Sequence, residues 1–445
     1  MHKIQGSVRN DETDDYDPVK YRPSEQITST TFATFMHLLK AAIGSGILFL
    51  PYAFRKTGYI AAITCSILVG SISIHTAVLT VQCSQILCKR ARIPSLNFAE
   101  TAEVSFGLGP EPFRKYANAF GVATNVIVCF VQYETAVVYA LYIASSLQQV
   151  IEYFADAHVD VRWYLMALIP IFIAFSLVPN FRYLVPFSVM GAVFLFFGFC
   201  LTFYYLLSDF PSPSRLETYT DYEQLAIYCG VFLFAVHNMS ILLPLENSMI
   251  HPSMMPVVLG SSMIVNVCIY ILFGFLGYNK YPDACDTVIM NLPLNELPAQ
   301  MVKVSIVLSV LCTYGLQYYV PITILWPMIA KKIGDNICYE RCFRIGGVII
   351  CTLLAIALPH MASLLGLFAA ISMTTVMLLI PILIEIATKW NYLTGCKGRI
   401  MIIKNIVISI VWLMLLIFGT LENINSIIRQ KSGDEPVTSD MCSTS

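Results

Sequence analysis

Residues 37–54, HLLKAAIGSGILFLPYAF, are apolar enough to cross a membrane as one helix, yet they carry Gly44-Ser45-Gly46 at the centre and Pro51 near the end. A helix that unwinds at that depth exposes backbone N–H and C=O groups that lipid cannot satisfy, so the break must be enclosed by protein or line a wet cavity. This one segment therefore demands a bundle of further helices around it.

Composition supplies the bundle. Of 445 residues 57% are hydrophobic and 12% charged, with a mean hydropathy of +0.70, which is membrane-protein territory. The formal charge of -1 gives no reason to expect nucleic acid as a partner. Cys65, Cys129, Cys200, Cys268, Cys312 and Cys351 lie inside apolar runs without a CxxC pattern and read as small packing residues. The chain has no HExxH, GxGxxG or phosphate loop ending in GK[ST], so neither enzyme chemistry nor a metal or nucleotide cofactor is expected. Any work the protein does on a solute must draw on an ion gradient or on the solute's own.

Residues 1–30 are acidic, lack the apolar core of a secretory signal and read as a disordered tail. A helix needs about 20 apolar residues to cross the hydrocarbon. That rule finds eleven spans, at 31–54, 58–83, 117–147, 163–181, 184–208, 223–245, 256–279, 300–330, 342–360, 361–387 and 401–425. They make one transmembrane domain, 31–425, and leave 426–445 as a short disordered tail. Lys89, Arg90, Arg92, Arg114 and Lys115, then Lys331, Lys332, Arg341 and Arg344, then Lys389, Lys397, Arg399 and Lys404 all fall on the N-terminal side of this topology. The positive-inside rule makes that side, and the N-terminus, cytosolic.

Span six, VFLFAVHNMSILLPLEN, repeats the grammar of span one: an apolar half, a polar centre at His237, Asn238 and Ser240, a second apolar half, then Pro244. Span six lies five spans on from span one, an odd offset, so the copies run in opposite directions, the plan by which inverted repeats build a midplane site. Free amides and carbonyls at two facing breaks suit a zwitterion, a carboxylate on the amides and an ammonium on the carbonyls. The expected binding residues are Ile43, Gly44, Ser45 and Gly46 in span one and Phe234, Ala235, His237 and Asn238 in span six. Tyr139 and Tyr314 are further candidates, although Tyr314 could equally be helix packing.

At these residues the chain resembles the proton-coupled amino acid transporters of the amino acid and auxin permease superfamily. HLLKAAIGSGILFLP at 37–51, PNFRYL at 179–184, LPLEN at 243–247, LGY at 276–278, TYGLQYYVP at 313–321 and IPILIE at 380–385 stand in order. The resemblance implies an all-α integral membrane protein of 11 transmembrane helices in a leucine-transporter-like five-plus-five inverted repeat, discontinuous in helices 1 and 6. It further implies small neutral amino acids and protons as what is carried, at the plasma membrane or in endosomes and lysosomes. An amino-acid sensor with little transport, or a proton-independent facilitative or vesicular carrier, remains open.

His37 matches the family's first-helix histidine linked to proton coupling and shares a helix face with Lys40. A structural histidine at the interface, beside a snorkelling lysine, is the plainer alternative. Two positions depart from the family: His237 stands where an acid is usual, and Glu134 in span three stands where a small neutral residue is usual. The acid has either moved, with Glu134 and His237 paired across the cavity, or the two substitutions are unconnected and Glu134 reaches a nearby hydroxyl. Glu246, after Pro244, is expected to gate by latching onto Arg182 or a loop lysine, and Glu385 to be a structural ion-pair residue. The resemblance also implies a disulfide between the loops after spans three and seven. The first loop, FADAHVDVRW, has no cysteine, which would leave Cys285 unpaired.

Overall fold

In the computed structural model, residues 16–23, 27–155, 159–179, 181–208, 210–220, 224–293, 295–334, 336–358, 361–390 and 395–432 are described. Their secondary structure is helical apart from one parallel bridge between Ser29 and Met249. The α-helices are α1 (Thr31–Ala42), α2 (Leu50–Thr57), α3 (Tyr59–Ala91), α4 (Phe98–Gly107), α5 (Glu111–Arg114), α6 (Ala117–Ala155), α7 (Val161–Ser176) and α8 (Phe181–Leu207). They continue with α9 (Gln224–Val236), α10 (Met239–Asn247), α11 (Met255–Lys280), α12 (Leu297–Ile333), α13 (Ile337–Ala357), α14 (Met361–Phe368), α15 (Ile380–Thr388) and α16 (Cys396–Ser432).

Each segment expected to cross the membrane is largely helical where it is described, with interruptions at Ile43 and Gly44 and at His237 and Asn238. Among the described residues, eight helical stretches are long and apolar enough to do so by length and composition, Gln224–Asn247 and Met361–Thr388 each counted as one, and the bent pair Thr31–Ala42 with Gly46–Thr57, at 44°, makes nine. The 16 residues of α7 fall short of the usual length, and α13 opens with Glu340, Arg341 and Arg344.

Burial sorts the helices into layers. In α9 every residue from Ile227 to Val236 is buried, so a helix apolar all round sits at the centre. It packs against α2, α3, α14 and α16, while α12 packs against α6 and α8, and α11 against α1, α2 and α3. The apolar window of α16 is only 11% buried; its outward Ile402, Ile403, Ile406, Val407 and Ile410 call for lipid as solvent.

Local signals fix the ends. Thr30 caps α1 by accepting from the Ala33 N–H, and α4, a helix absent from the expected spans, begins with a reciprocal capping box of Asn97 and Glu100. Two π-helical segments, Ala369–Met373 and Thr375–Leu379, link α14 to α15.

Three expectations change. The N-terminal tail is docked between Tyr16 and Pro23: Asp17 caps a 3-10 turn at Pro18–Tyr21 and Arg22 is buried. At the other end α16 carries helix to Ser432, past residue 425. Cys285 is disulfide-bonded and not left unpaired.

Candidate functional site

Span one breaks after Ala42. Ile43 turns out of the helix at φ -72°, ψ 85° and Gly44 is extended at φ -119°, ψ -167°, after which Ser45–Phe49 form a 3-10 turn leading into α2. Span six breaks between α9 and α10, with Asn238 at φ -142°, ψ 9°. The two breaks touch. A Cβ built on Gly46 would lie 2.8 Å from Ala235 Cα and 3.2 Å from Phe234 Cδ1, so any side chain there would drive the two backbones apart. Around Gly44 the space is open.

The carbonyls released by the breaks have a shared partner. The Tyr270 hydroxyl of α11 lies between the Ala42 oxygen and the Ala235 oxygen, the latter at 3.0 Å, and thereby bridges the last turn of each first half. The amide ends of the second halves are open: neither the turn that begins at Ser45 nor α10 receives a side-chain cap. Orphan amides at a helix start are anion-seeking.

The polar groups beside the breaks are equally unsatisfied. Both ring nitrogens of His237 and the Asn238 Oδ1 are shielded from solvent without a hydrogen-bond partner. Asn266, four residues before Tyr270 and so on the same face of α11, has neither amide atom paired and is buried. Buried polar groups are ordinarily hydrogen-bonded, to a ligand or water where protein fails. This cluster of orphans at two helix breaks is the chemistry of a polar solute site.

Glu134 lies elsewhere. It is buried in α6 with Oε2 accepting from the Ser372 hydroxyl of the first π segment and Oε1 unpartnered. Since His237 has no partner at either nitrogen, the two residues are not paired in this conformation, and the neighbouring-hydroxyl alternative describes Glu134. The π segment packs on both α6 and α9, so the carboxylate is one layer removed from span six. Interrupted helical geometry of this kind is common at functional positions.

Other expected residues disperse. His37 and Lys40 lie on the exposed face of α1, beside Phe32 and Met36. Tyr139 is buried within α6. Tyr314 stacks on Phe172 at 4.4 Å and on Tyr318 at 6.1 Å, in the interface of α12 with α7. The side chains of Ser45 and Arg182 lie outside the described residues.

Glu246 takes a different partner from Arg182. Arg22 reaches it across 224 residues of sequence, donating to both carboxylate oxygens at 3.3 and 3.2 Å and to its carbonyl at 3.2 Å, with side-chain exposures of only 3% and 2%. Gln85 donates to the same carboxylate at 3.2 Å, and Arg22 also to the Pro94 carbonyl at 2.8 Å. Backbone bonds from Thr28 and Ser29 to the Ser248 oxygen, and from Ile250 to the Ser29 oxygen, extend the clasp. Residues 16–23 and 27–29 thus strap the end of α10, and a 620 Å³ cavity opens beside the strap. Glu385 pairs with Lys389 and Lys404, at 3.0 and 2.6 Å.

Sequence reasoning missed Tyr270, Asn266, Ser372 and Arg22. Asn266 and Tyr270 left a signal, a polar pair at i, i+4 inside an apolar span; Arg22 left none, being one cation in an acidic segment.

Residues 27–425 match the family model described as transmembrane amino acid transporter protein. The chain is 33% identical over 453 residues to the proton-coupled amino acid transporter-like protein pathetic of Drosophila melanogaster, covering 98% of this chain and 94% of that one. To the probable amino acid transporter skat-1 of Caenorhabditis elegans it is 23% identical, covering 93% of each. Among solved structures, the inward-facing conformation of Mhp1 shares the fold, with a TM-score of 0.56, 13% identity and 92% of both chains covered.

Proposed function

Because the chain belongs to the transmembrane amino acid transporter family, we propose that it moves small neutral amino acids across the membrane together with protons, by alternating access. Transporters of this family are not enzymes, and no cofactor beyond the coupling proton is invoked. One observation carries the reading: two broken helices meet at Gly46 and Ala235, with uncapped amide ends, bridged carbonyls and unsatisfied His237 and Asn238 at the same place.

In this reading the substrate carboxylate takes the open amides at Ser45–Gly46 and at the start of α10, while its ammonium competes with Tyr270 for the Ala42 and Ala235 carbonyls. A small side chain fits because Phe234 and the backbone of Ala235 close the space beside Gly46. The proton goes to Glu134, whose free Oε1 is a buried acceptor with nothing to accept from; His37 is the second candidate. Eleven spans in a five-plus-five repeat, with a cytosolic N-terminus read from the Lys and Arg distribution, complete the proposal, in a plasma, endosomal or lysosomal membrane. The Arg22–Glu246 clasp then acts as the cytosolic gate, opening when α10 moves.

The test is uptake of labelled glycine, alanine and proline by proteoliposomes with and without an inward proton gradient. Accumulation only with the gradient is expected. Gradient-independent equilibration would make the protein a facilitative carrier. A second reading, binding with little flux, is favoured by the strap locked onto α10; saturable binding without uptake would establish it.

A further inference from the structure

A carboxylate and an ammonium are common to every amino acid, and the backbone of the two breaks can hold both. Three polar side chains at the breaks are then left over. Both ring nitrogens of His237, the Asn238 Oδ1 and both amide atoms of Asn266 are shielded from solvent and unpaired. Asn238 and Asn266 are only 3% and 1% exposed.

Packing alone accounts poorly for them. An asparagine at an N-cap ordinarily accepts from the first-turn amides, yet Asn238 stands at the N-cap of α10 without doing so. Asn266 is the sharper case. Turning its amide over exchanges Oδ1 and Nδ2, and since neither has a partner the exchange repairs nothing. It lies one turn before Tyr270, whose hydroxyl joins the Ala42 and Ala235 carbonyls. Its helix, α11, packs on α1, α2 and the turn Ser45–Phe49. An apolar residue of similar volume would suit a purely structural interface better, because a buried polar group without a partner gives up its bonds to water for nothing. Orphan amides occur elsewhere, as at Asn405 in α16; what sets these three side chains apart is that they lie at, or one turn from, the two breaks.

Their chemistry limits what could complete them. A carboxamide offers two N–H donors and an accepting oxygen, and a neutral imidazole one donor and one acceptor, so the complement must both donate and accept. It must also be neutral. Residues 42–49 and 234–240, AIGSGILF and FAVHNMS, contain no Asp, Glu, Lys or Arg, so an ionised side chain would be buried there without a counter-charge. An alkyl side chain would leave the orphans as they are. A hydroxyl or a carboxamide meets every condition.

We propose that the site selects amino acids whose side chain carries a hydroxyl or a carboxamide, and that Asn266 is the residue that reads it. This rests on the reading of the two breaks as an amino-acid site and narrows the substrate class within it.

The experiment is calorimetric titration of the full-length protein in neutral detergent with two pairs of ligands, serine against 2-aminobutyrate and asparagine against leucine. Each pair is matched in shape and differs in hydrogen bonding. In at least one pair the polar member should bind about tenfold or more tightly, the penalty for leaving a buried polar group unpaired. Asn266→Leu should weaken the polar member and narrow the ratio within that pair. Asn405→Leu, which removes an orphan amide away from the breaks, should leave the ratio unchanged. The wild-type ratios decide the matter even where a variant does not fold. Equal affinity within both pairs would mean that water completes the three side chains, and would overturn the proposal; so would equal narrowing by the two variants. Binding needs no gradient, so the transport reading fails separately: a polar preference without uptake would support the proposal and remove transport, whereas uptake without a polar preference would do the reverse. Failure of all four ligands to bind would overturn both.

Discussion

The two breaks share a place and differ in kind. The first is built from small residues: Gly44, Ser45 and Gly46 let the chain turn, and Gly46 lets it lie against Ala235. The second carries functional groups, His237 and Asn238, that find no partner in the protein. Their second halves are also held differently. Pro51 and Phe54 of α2 sit where Cβ atoms on Gly277 and Gly274 of α11 would be, at 2.3 and 2.4 Å, an interlock of apolar surfaces that has no polar release. The end of α10 is held by the Arg22–Glu246 pair and Gln85. Span one thus reads as the geometric half of the site, and span six as the half that binds and can be let go.

The largest test of that contrast is the clasp. Removing one member of a buried ion pair leaves the other unpaired and costs about 3–5 kcal/mol, whereas replacing both by apolar residues restores much of it. Arg22→Met should lower the unfolding midpoint and expose the strap to protease. Adding Glu246→Met should recover stability. If Arg22→Met alone is silent in both measurements, the clasp does not hold α10.

Next comes the contact between the breaks. Gly46→Val should abolish uptake and destabilise by about 1–3 kcal/mol, the cost of overpacking, while Gly44→Ala should leave transport nearly intact because its extended backbone and open surroundings accept a methyl group. Measured side by side in proteoliposomes and thermal melts, equal defects would mean that the breaks do not meet as described. Tyr270→Phe ranks below these. It removes one hydroxyl shared by two carbonyls, a net loss of about 0.5–1.5 kcal/mol; with Gly44 N–H still bonded to the Ala42 oxygen at 2.8 Å, a moderate fall in uptake with an unchanged fold is expected.

The breaks were legible in the sequence because Gly44-Ser45-Gly46 and His237-Asn238 interrupt apolar runs long enough to span, and length and hydropathy are local properties. What was illegible depends on distant partners. The bond from Arg22 to Glu246 joins residues 224 apart, and the local composition around Arg22 speaks only of an acidic tail. The π segments lie in a run, residues 369–379, whose only polar residues are Ser372, Thr374 and Thr375, hydroxyls that a helix of either pitch accommodates, so the slip of the ladder and with it the partnership of Ser372 and Glu134 left no local signal. Tyr314 sits in a motif that suggested a lining role, yet aromatic neighbours on α7 claim its ring. Where a chain carries two rare features, such as Glu134 and His237, sequence invites pairing them; geometry gave each its own surroundings.

That last separation supports the sharpest and smallest prediction. Residues without shared contacts combine additively, within about 0.3–0.5 kcal/mol, whereas members of one network deviate by about 0.5–3 kcal/mol. Glu134→Gln keeps the shape and the Ser372 bond while removing the carboxylate, so its effect should fall on the response of uptake to the proton gradient. His237→Gln keeps a polar group at the break, so its effect should fall on apparent substrate affinity. The double variant should show the product of the two single effects, with a coupling below about 0.5 kcal/mol. A larger coupling, measured as gradient-driven uptake in all four proteins, would mean that the carboxylate and the imidazole meet in a conformation reached during transport. The division between a geometric first break and a chemical second one would then have to include Glu134 on the side of span six.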